Sequence, residues 1–149
     1  MMRSTRASMS GFILIEEALE SLDENALKAK LPTEGCGAVV SFLGITRGKE
    51  GDADVLRLEF DAWQNQLSPV LHGLAEQAIE RFGVLAVVMA HRVGSVGPSE
   101  SIVSIHVGSP HRKEAFQACE WLIDELKKQA PLWKKEVTSD GESWKAGLG

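Results

Sequence analysis

One amphipathic helix that ends at a proline limits the folds open to this sequence. From Gly108 to Glu136 the chain reads GSPHRKEAFQACEWLIDELKKQAPLWKKE, with Ser109 suited to cap a helix and Pro110 to its first position. The apolar residues recur at helical spacing and form one stripe: Ala115, Phe116, Cys119, Leu122, Ile123 and Leu126. Pro131 ends the helix, and Leu132–Val137 has the pattern of a strand. Because such a helix buries one side only, that stripe must cover a further layer of structure.

Short apolar or alternating segments predict the other strands, at Gly11–Glu16, Cys36–Gly44, Val55–Phe60, Val84–Ala90 and Ser101–Val107. The continuous apolar run Cys36–Gly44 is expected to be buried. Further helices are predicted at Ala26–Leu31 and from Asp61 or Ser68 to about Phe82. Strands and helices interleave irregularly, which indicates a single α+β domain with a mixed or mostly antiparallel sheet. We expect this domain at residues 11–149, after a disordered N-terminal segment at residues 1–10.

The composition excludes several classes of function. The chain has 149 residues, a hydrophobic fraction of 44% and a net charge of −5, which suit one globular domain and argue against a binder of duplex nucleic acid. Its two cysteines form no CxxC motif and its four histidines no HExxH motif, so we expect no metal site and a reducing compartment. Glu16 and Glu17 cut off the apolar run Phe12–Ile15, which is too short for a membrane span. We therefore expect a cytoplasmic protein.

A cationic pair stands at the predicted start of the helix. His111 and Arg112 fall in the first turn, where the helix dipole disfavours a positive charge by a few tenths to ~1 kcal/mol. One interpretation is a solvated pair that costs little. The other is an anion bound by the helix N-terminus, the guanidinium and the imidazole together. The residues alone leave both interpretations open.

A second group of cations lies at and beyond the end of the helix. Lys127 and Lys128 suit the negative end of the helix dipole, which is an ordinary structural explanation for them. Lys134 lies in an extended segment, where it shares a face with Glu136 and not with Lys135. A lysine beside another cation and partly shielded by a tryptophan can have a lowered pKa and act as a base or nucleophile. Lysine pairs are also common on ordinary surfaces, so this segment does not decide the question.

Further candidates lie where predicted strands end, which is where binding sites are often assembled. Arg47 follows one strand, and the pair His91-Arg92 follows another. For this pair a role in stabilising the turn and a role in binding a ligand are both open. Cys119 lies in the apolar stripe of the helix, so we interpret it as a buried thiol rather than a nucleophile.

Together these segments resemble the large, catalytic subunit of molybdopterin synthase. The matches keep their order over nearly the whole chain and are Phe42-Leu43-Gly44-Ile45-Thr46-Arg47, Leu58-Glu59-Phe60, His91-Arg92-Val93-Gly94, Ser109-Pro110-His111-Arg112 with Ala115-Phe116, Leu126-Lys127, Pro131-Leu132-Trp133-Lys134-Lys135-Glu136, and Gly141 with Trp144. Most of these matches are weak individually. The joint pattern of HRxG, HRxxAF and LKxxxPxWKKE is specific.

The resemblance implies an α/β hammerhead-type fold and a homodimer within a heterotetramer. Each large subunit of that family binds a small ubiquitin-like sulfur-carrier subunit, whose C-terminal Gly-Gly thiocarboxylate enters a pocket. Two sulfurs then pass to cyclic pyranopterin monophosphate and form the dithiolene of molybdopterin. The resemblance implies no cofactor, no metal, no nucleic acid and no membrane.

The resemblance also implies roles for particular residues. Lys127 and Lys134 match the catalytic lysines, and the positions that bind substrate are Ile45, Thr46, Arg47, His111, Arg112, Lys135 and Glu136. The sequence departs from the family where Thr46 replaces the usual valine and where Trp63 and Gln66 replace a tyrosine and a methionine. The loop Gly48–Asp54 also lacks the family's asparagine. The alternative is a non-catalytic dimeric module of the same fold, an anion-binding or adaptor protein that binds a ubiquitin-like carrier.

Overall fold

The computed structural model describes residues 11–146, which form nine strands and three helices. The strands are β1 (Phe12–Ala18), β2 (Ala38–Ile45), β3 (Lys49–Glu50), β4 (Ala53–Ala62), β5 (Ala86–Arg92), β6 (Gly94–Val96), β7 (Ser101–Ser109), β8 (Leu132–Thr138) and β9 (Gly141–Ala146). The helices are α1 (Glu24–Ala29), α2 (Leu67–Phe82) and α3 (Arg112–Gln129). The segment expected to be disordered, residues 1–10, lies outside the described residues.

The first sheet has the strand order β1-β5-β7-β2, in which β1 is parallel to β5 and the other neighbours are antiparallel. Both of its faces are covered, because alternate residues of β5 enter different cores. Val87 and Met89 join the core under α2 and α3, whereas Val88 and Ala90 join the smaller core beside α1. This double burial explains why β5 reads as a continuous apolar run.

The second sheet has the order β3-β4-β8-β9, and every pairing is antiparallel. Strand β6 also pairs with β4, on the side away from β8. One face of β4 packs into the main core through the side chains of Val55, Leu58 and Phe60. The predicted Ser-Asp-Gly turn joins β8 to β9, with Gly141 at a positive φ of 133°. The α+β class with a mixed sheet is confirmed. Among the described residues, no helix is both long and apolar enough to span a bilayer.

The helix α3 begins later than the sequence predicts. Ser109 is the buried last residue of β7, and His111 takes the N-cap position with no hydrogen bond from its side chain. The Ser109 hydroxyl instead accepts a bond from the backbone N–H of His111 at 3.4 Å. The prediction of Ser109 as the N-cap is therefore wrong, because the strand extends through Ser109 before Pro110 turns the chain.

Two burial predictions are also wrong. The run in β2 was expected to be buried, but β2 is an edge strand whose residues alternate, with Val39 37% exposed and Ser41 exposed. Phe116 of the α3 stripe is 62% exposed, because the sheet contacts a narrower strip of the helix than the apolar residues cover. That strip consists of Ala115, Ala118, Cys119, Leu122 and Leu126. Cys119 is buried as predicted, and burial raises the pKa of its thiol to about 11.

Arg92 ties the end of β5 to its surroundings. Its guanidinium is buried and donates hydrogen bonds to the backbone oxygens of Ala18 at 3.2 Å and Ser95 at 2.7 Å. It also pairs with the Glu100 carboxylate at 3.2 Å. For Arg92 the turn-stabilising interpretation is therefore correct, and its buried charge is satisfied by carbonyls and one carboxylate. His91 faces elsewhere and belongs with the site.

Candidate active site

A pocket of about 550 Å³ opens between the two sheets, where the end of β2, strands β4 and β8, and the last turns of α3 meet. Its lining is an apolar surface with charged side chains among it: Phe42, Leu43, Gly44, Ile45, Thr46, Arg47, Glu50, Val55, Leu58, Phe60, His91, Ile102, Val103, Ile123, Leu126, Lys127, Lys134 and Glu136. The size and the mixture of apolar lining with a few polar groups are those of a small-molecule site.

The fold brings Lys127 and Lys134 into this pocket from different elements. Lys127 is an exposed residue in the last turn of α3, and Lys134 is half-buried on β8. Pro131 lies between them at the corner where the helix becomes a strand. This corner is fixed by backbone bonds from Trp63 N–H to the Pro131 oxygen at 3.0 Å and from Leu132 N–H to the Ala130 oxygen at 2.8 Å. The two amines therefore face one cavity although their backbones belong to different layers.

The neighbouring lysines are paired, whereas those of the pocket are not. Lys128 contacts the Glu125 carboxylate at 3.4 Å, and Lys135 contacts the Glu142 carboxylate at 2.9 Å. Among residues 11–146, Lys127 and Lys134 form no ion pair. An amine without a fixed carboxylate remains available to a ligand.

Burial lowers the pKa of Lys134, and the positive charges of Lys145 and Arg47 lower it further. Glu136 and Glu50 act in the opposite direction and only partly offset this effect. A lysine with a lowered pKa holds a larger fraction of neutral amine, which is the form that accepts a proton or attacks a carbonyl. The lowering that the sequence suggested for this segment is thus confirmed in direction at Lys134.

The end of β2 supplies the other predicted residues of the pocket. Ile45 is half-exposed, and Arg47 is exposed with its guanidinium 3.5 Å from the Glu50 carboxylate. Thr46 is buried and held by backbone bonds with Glu100 and Ser99, both 3.0 Å long. Its hydroxyl has no partner in the described part of the chain.

Strand alternation divides the segment after Pro131. Lys134 pairs with Phe60 of β4 and Glu136 with Leu58, so both side chains face the pocket. Lys135 points to the other side of the sheet, where its ammonium lies 5.6 Å from the centre of the Trp144 ring. The expectation that Lys135 lines the same pocket is therefore corrected, because neighbouring residues of a strand face opposite sides.

His111 and Arg112 also lie outside the pocket of a single chain. They are exposed residues at the first turn of α3, whereas the pocket lies at its last turns. At 1.5 Å per residue the helix separates His111 from Lys127 by about 24 Å along its axis. One copy of the chain does not bring the N-terminal cations and the two lysines together.

Two ionisable residues of the pocket lining, Glu50 and His91, were not identified as such from the sequence. Glu50 reaches the pocket because β3 and β4 form a tight hairpin around Gly51, whose φ is 61°. His91 was left between a turn role and a ligand role, and the structure puts it in the pocket lining. Its position at the end of a buried strand was the available signal. Among residues 11–146, no group of His, Cys, Asp and Glu is arranged to hold a metal ion.

This fold and pocket define a small α+β protein whose cavity holds two lysines and is suited to a small anionic ligand. The sequence profile of the MoaE protein matches residues 17–129, most of the chain. The chain therefore belongs to the MoaE family, and the resemblance noted from its motifs is confirmed.

Curated relatives agree in name with that family. A molybdopterin synthase catalytic subunit of Pyrococcus abyssi is 34% identical over 119 residues, which cover 80% of each chain. One of Caulobacter vibrioides is 40% identical over 111 residues, covering 74% of this chain and 73% of the relative. The family's activity is sulfur transfer in molybdenum cofactor biosynthesis, and it is the activity of this chain.

Solved structures agree with the fold. Molybdopterin synthase from Staphylococcus aureus is 31% identical, with a TM-score of 0.79 over 90% of this chain and 95% of that one. A complex of subunits 1 and 2 of molybdopterin-converting factor from Helicobacter pylori is 26% identical, with a TM-score of 0.69 over 89% and 88%. The fold expected from the resemblance is therefore confirmed.

Proposed function

We propose that this chain, in the cytoplasm, transfers sulfur from the C-terminal Gly-Gly thiocarboxylate of a small ubiquitin-like carrier to cyclic pyranopterin monophosphate. The product is the dithiolene of molybdopterin. The observation that carries the proposal is that two lysines in one pocket form no ion pair within residues 11–146, and that one of them, Lys134, has a lowered pKa. The Helicobacter pylori relative, solved as a complex of two subunits, supports a small protein partner.

The two lysines take different parts in this reaction. Lys127 lines the pocket and is exposed, so it meets the incoming thiocarboxylate. There it polarises the thiocarboxylate or acts as a general acid or base. A transient covalent adduct between its amine and the carrier's terminal carbonyl is a further route. Lys134, half-buried and with a lowered pKa, orients the pterin substrate and shares in proton transfer.

The remaining lining residues bind the substrate. Arg47 offsets negative charge at the phosphate as the substrate ring opens, since guanidinium groups pair well with phosphate oxygens. Ile45 and Thr46 shape the wall beside it, and Glu136 tunes Lys134 from the same face of β8. Lys135 acts from the outer face, where it holds Glu142 and Trp144 and thereby supports β9.

His111 and Arg112 complete the site from a second copy of the chain. Their distance from Lys127 along α3 is about 24 Å, so they serve a pocket of the partner subunit in a homodimer. Two such chains and two carriers give a heterotetramer. In this arrangement the helix N-terminus, the imidazole and the guanidinium form the anion site for the phosphate.

The direct test is turnover. The purified chain is mixed with a thiocarboxylated carrier and cyclic pyranopterin monophosphate, and the dithiolene product is measured. Product formation is expected with the thiocarboxylated carrier and none with the same carrier ending in a plain carboxylate. A carrier that binds tightly but gives no product would support the adaptor alternative, which the catalytic names of the relatives do not favour. Mass spectrometry of the mixture detects a lysine adduct.

A further inference from the structure

His91 is a buried histidine that none of the roles above uses. It ends β5, is 1% exposed and lines the pocket. Its ring meets the edge of Phe60 at 83°, with ring centres 5.1 Å apart. The ring is therefore held firmly in place between the two sheets, at the inner side of the cavity.

The one hydrogen bond of the ring within the described residues indicates which nitrogen carries the proton. Nδ1 lies 2.7 Å from the backbone oxygen of Arg92, which can only accept, so Nδ1 is the donor. Burial lowers the pKa of His91 to about 4, and the ring is neutral at physiological pH. In a neutral imidazole with a proton on Nδ1, Nε2 carries a lone pair and acts only as an acceptor.

The lone pair of Nε2 has no hydrogen-bond partner in the part of the chain that the structure describes. Within residues 11–146, three polar side-chain atoms are fully buried and have no hydrogen-bond partner: Thr46 Oγ1, Ser104 Oγ and His106 Nε2. The Nε2 atom of His91 is not among these fully buried atoms. No described group forms a hydrogen bond with it, and the ring lines the cavity. His106 provides the contrast, since it is buried on the neighbouring strand, bonded to Ser41 at 2.7 Å, and does not line the pocket.

The surface around His91 suits a flat ring. Val103 lies next to His91 across the sheet, and Gly44 lies next to Val103. A Cβ at position 44 would lie 2.6 Å from Val103 Cγ1, which is too close. Gly44 therefore lets the backbone lie against Val103 with no side chain between them. Phe60 and Leu126 add apolar walls. A neutral acceptor among these apolar neighbours favours a ligand that offers an N–H or O–H donor at that point.

We propose that His91 is a specificity-determining residue that accepts a hydrogen bond from an N–H group of the pterin ring. The inference rests on the proposed function, because that function supplies the pterin. The carrier's terminal thiocarboxylate is an anion with acceptor atoms only, and a lone pair facing it repels it. The acceptor therefore favours the pterin as its ligand and directs the thiocarboxylate toward the lysines.

The test measures two ligands separately on each variant. His91→Phe keeps the ring and its contact with Phe60 but removes Nε2. It is expected to weaken binding of cyclic pyranopterin monophosphate by about ten- to a hundredfold, because the N–H is left buried without a partner. Binding of the carrier with a plain carboxylate is expected to stay within about twofold of wild type. His106→Phe, a matched change of a buried histidine outside the pocket, is expected to change neither affinity.

A measurement on the wild-type chain avoids any loss of folding in the variants. The ¹⁵N resonance of His91 Nε2 is expected to move upfield when the precursor is added, as an unprotonated nitrogen that accepts a hydrogen bond does, and to stay in place when carrier is added. If the precursor binds and the resonance does not move, the inference is overturned. It is also overturned if His91→Phe weakens the binding of the precursor and of the carrier equally. If wild-type chain binds and converts the precursor while Nε2 is unaffected, only this inference fails. If wild-type chain makes no product, the proposed function fails.

Discussion

Lys134 of β8 lies directly opposite Lys145 of β9, so two ammonium groups face each other across neighbouring strands. Like charges in this position repel, and the repulsion adds to burial in lowering the pKa of Lys134. Glu136, on the same face of β8, partly restores it. The protonation of the pocket lysine is therefore set by residues on two strands, which makes it adjustable by substitution outside the pocket.

The first prediction concerns the pH at which activity appears. If the neutral amine of Lys134 is the active form, turnover rises with pH through its pKa. Lys145→Gln removes a positive neighbour and raises that pKa, so the rise moves to higher pH. Glu136→Gln removes a negative neighbour and moves it to lower pH. The position of the midpoint in single-turnover rates is the readout, and Lys128→Gln is the control.

Opposite shifts in the two variants support Lys134 as the titrating group. Midpoints that coincide in wild type, Lys145→Gln and Glu136→Gln would show that another group limits the rate. A change of maximal rate alone carries no information on this point, because Glu136 also lines the pocket.

The second prediction compares adjacent lysines of α3. Lys127→Ala is expected to lower sulfur transfer by at least about a hundredfold, the usual loss when a general acid or base is removed. The free energy of unfolding is expected to change by no more than about 0.5 kcal/mol, because Lys127 is exposed and alanine suits a helix. Lys128→Ala removes the next side chain, which contacts Glu125 outside the pocket, and should retain activity. Normal molybdopterin formation by Lys127→Ala would exclude the assigned role.

The third prediction tests whether each site is shared between two chains. Lys127→Ala and Arg112→Ala are each expected to be inactive as homodimers. When the two are unfolded together and refolded as a mixture, mixed dimers contain one pocket with an intact lysine and an intact arginine from the partner. Random pairing then restores about a quarter of the wild-type sites. No recovery in a mixture shown to contain mixed dimers would mean that Arg112 acts within its own chain.

The fourth prediction concerns acid stability. The pKa of His91 is about 4 in the folded chain, below the ordinary histidine pKa of 6.5 that applies when the chain is unfolded. Between these pH values the unfolded chain binds a proton and the folded chain does not, so stability falls as pH drops from 6.5 to about 4. The loss from this group is on the order of 3 kcal/mol. Urea unfolding across this range should show a shallower pH dependence in His91→Phe than in wild type. An identical slope would exclude a neutral buried His91.

The sequence predictions that were correct depend on interactions between residues close together in the chain. Pro131 breaks a helix wherever it falls in one, and alternation after it separates Lys134 and Glu136 from Lys135 in any extended segment. The stripe of α3 likewise identified Cys119 as buried. These conclusions depend on residues close together in the chain, so the sequence contains what they need.

The failures depended on neighbours that are distant in sequence. Whether an apolar strand lies at the centre or the edge of a sheet depends on strand order, which made the burial of β2 unpredictable from Cys36–Gly44. The exposure of Phe116 depends on how wide a strip of α3 the sheet contacts. Glu50 and His91 enter the pocket because two sheets meet there, and no spacing along the chain reports that meeting.

The corner at Pro131 has a consequence for how the site is lost. Lys127 and Lys134 stand on either side of it, and few backbone bonds fix it: Ala130 N–H to the Leu126 oxygen, Leu132 N–H to the Ala130 oxygen, and Trp63 N–H to the Pro131 oxygen. A local opening of this corner displaces both amines at once while the sheets stay folded. Amide hydrogen exchange at Trp63, Ala130 and Leu132 therefore reports how long the two pocket lysines keep this arrangement. The protein can then lose activity under conditions in which measurements of global folding still report a native chain.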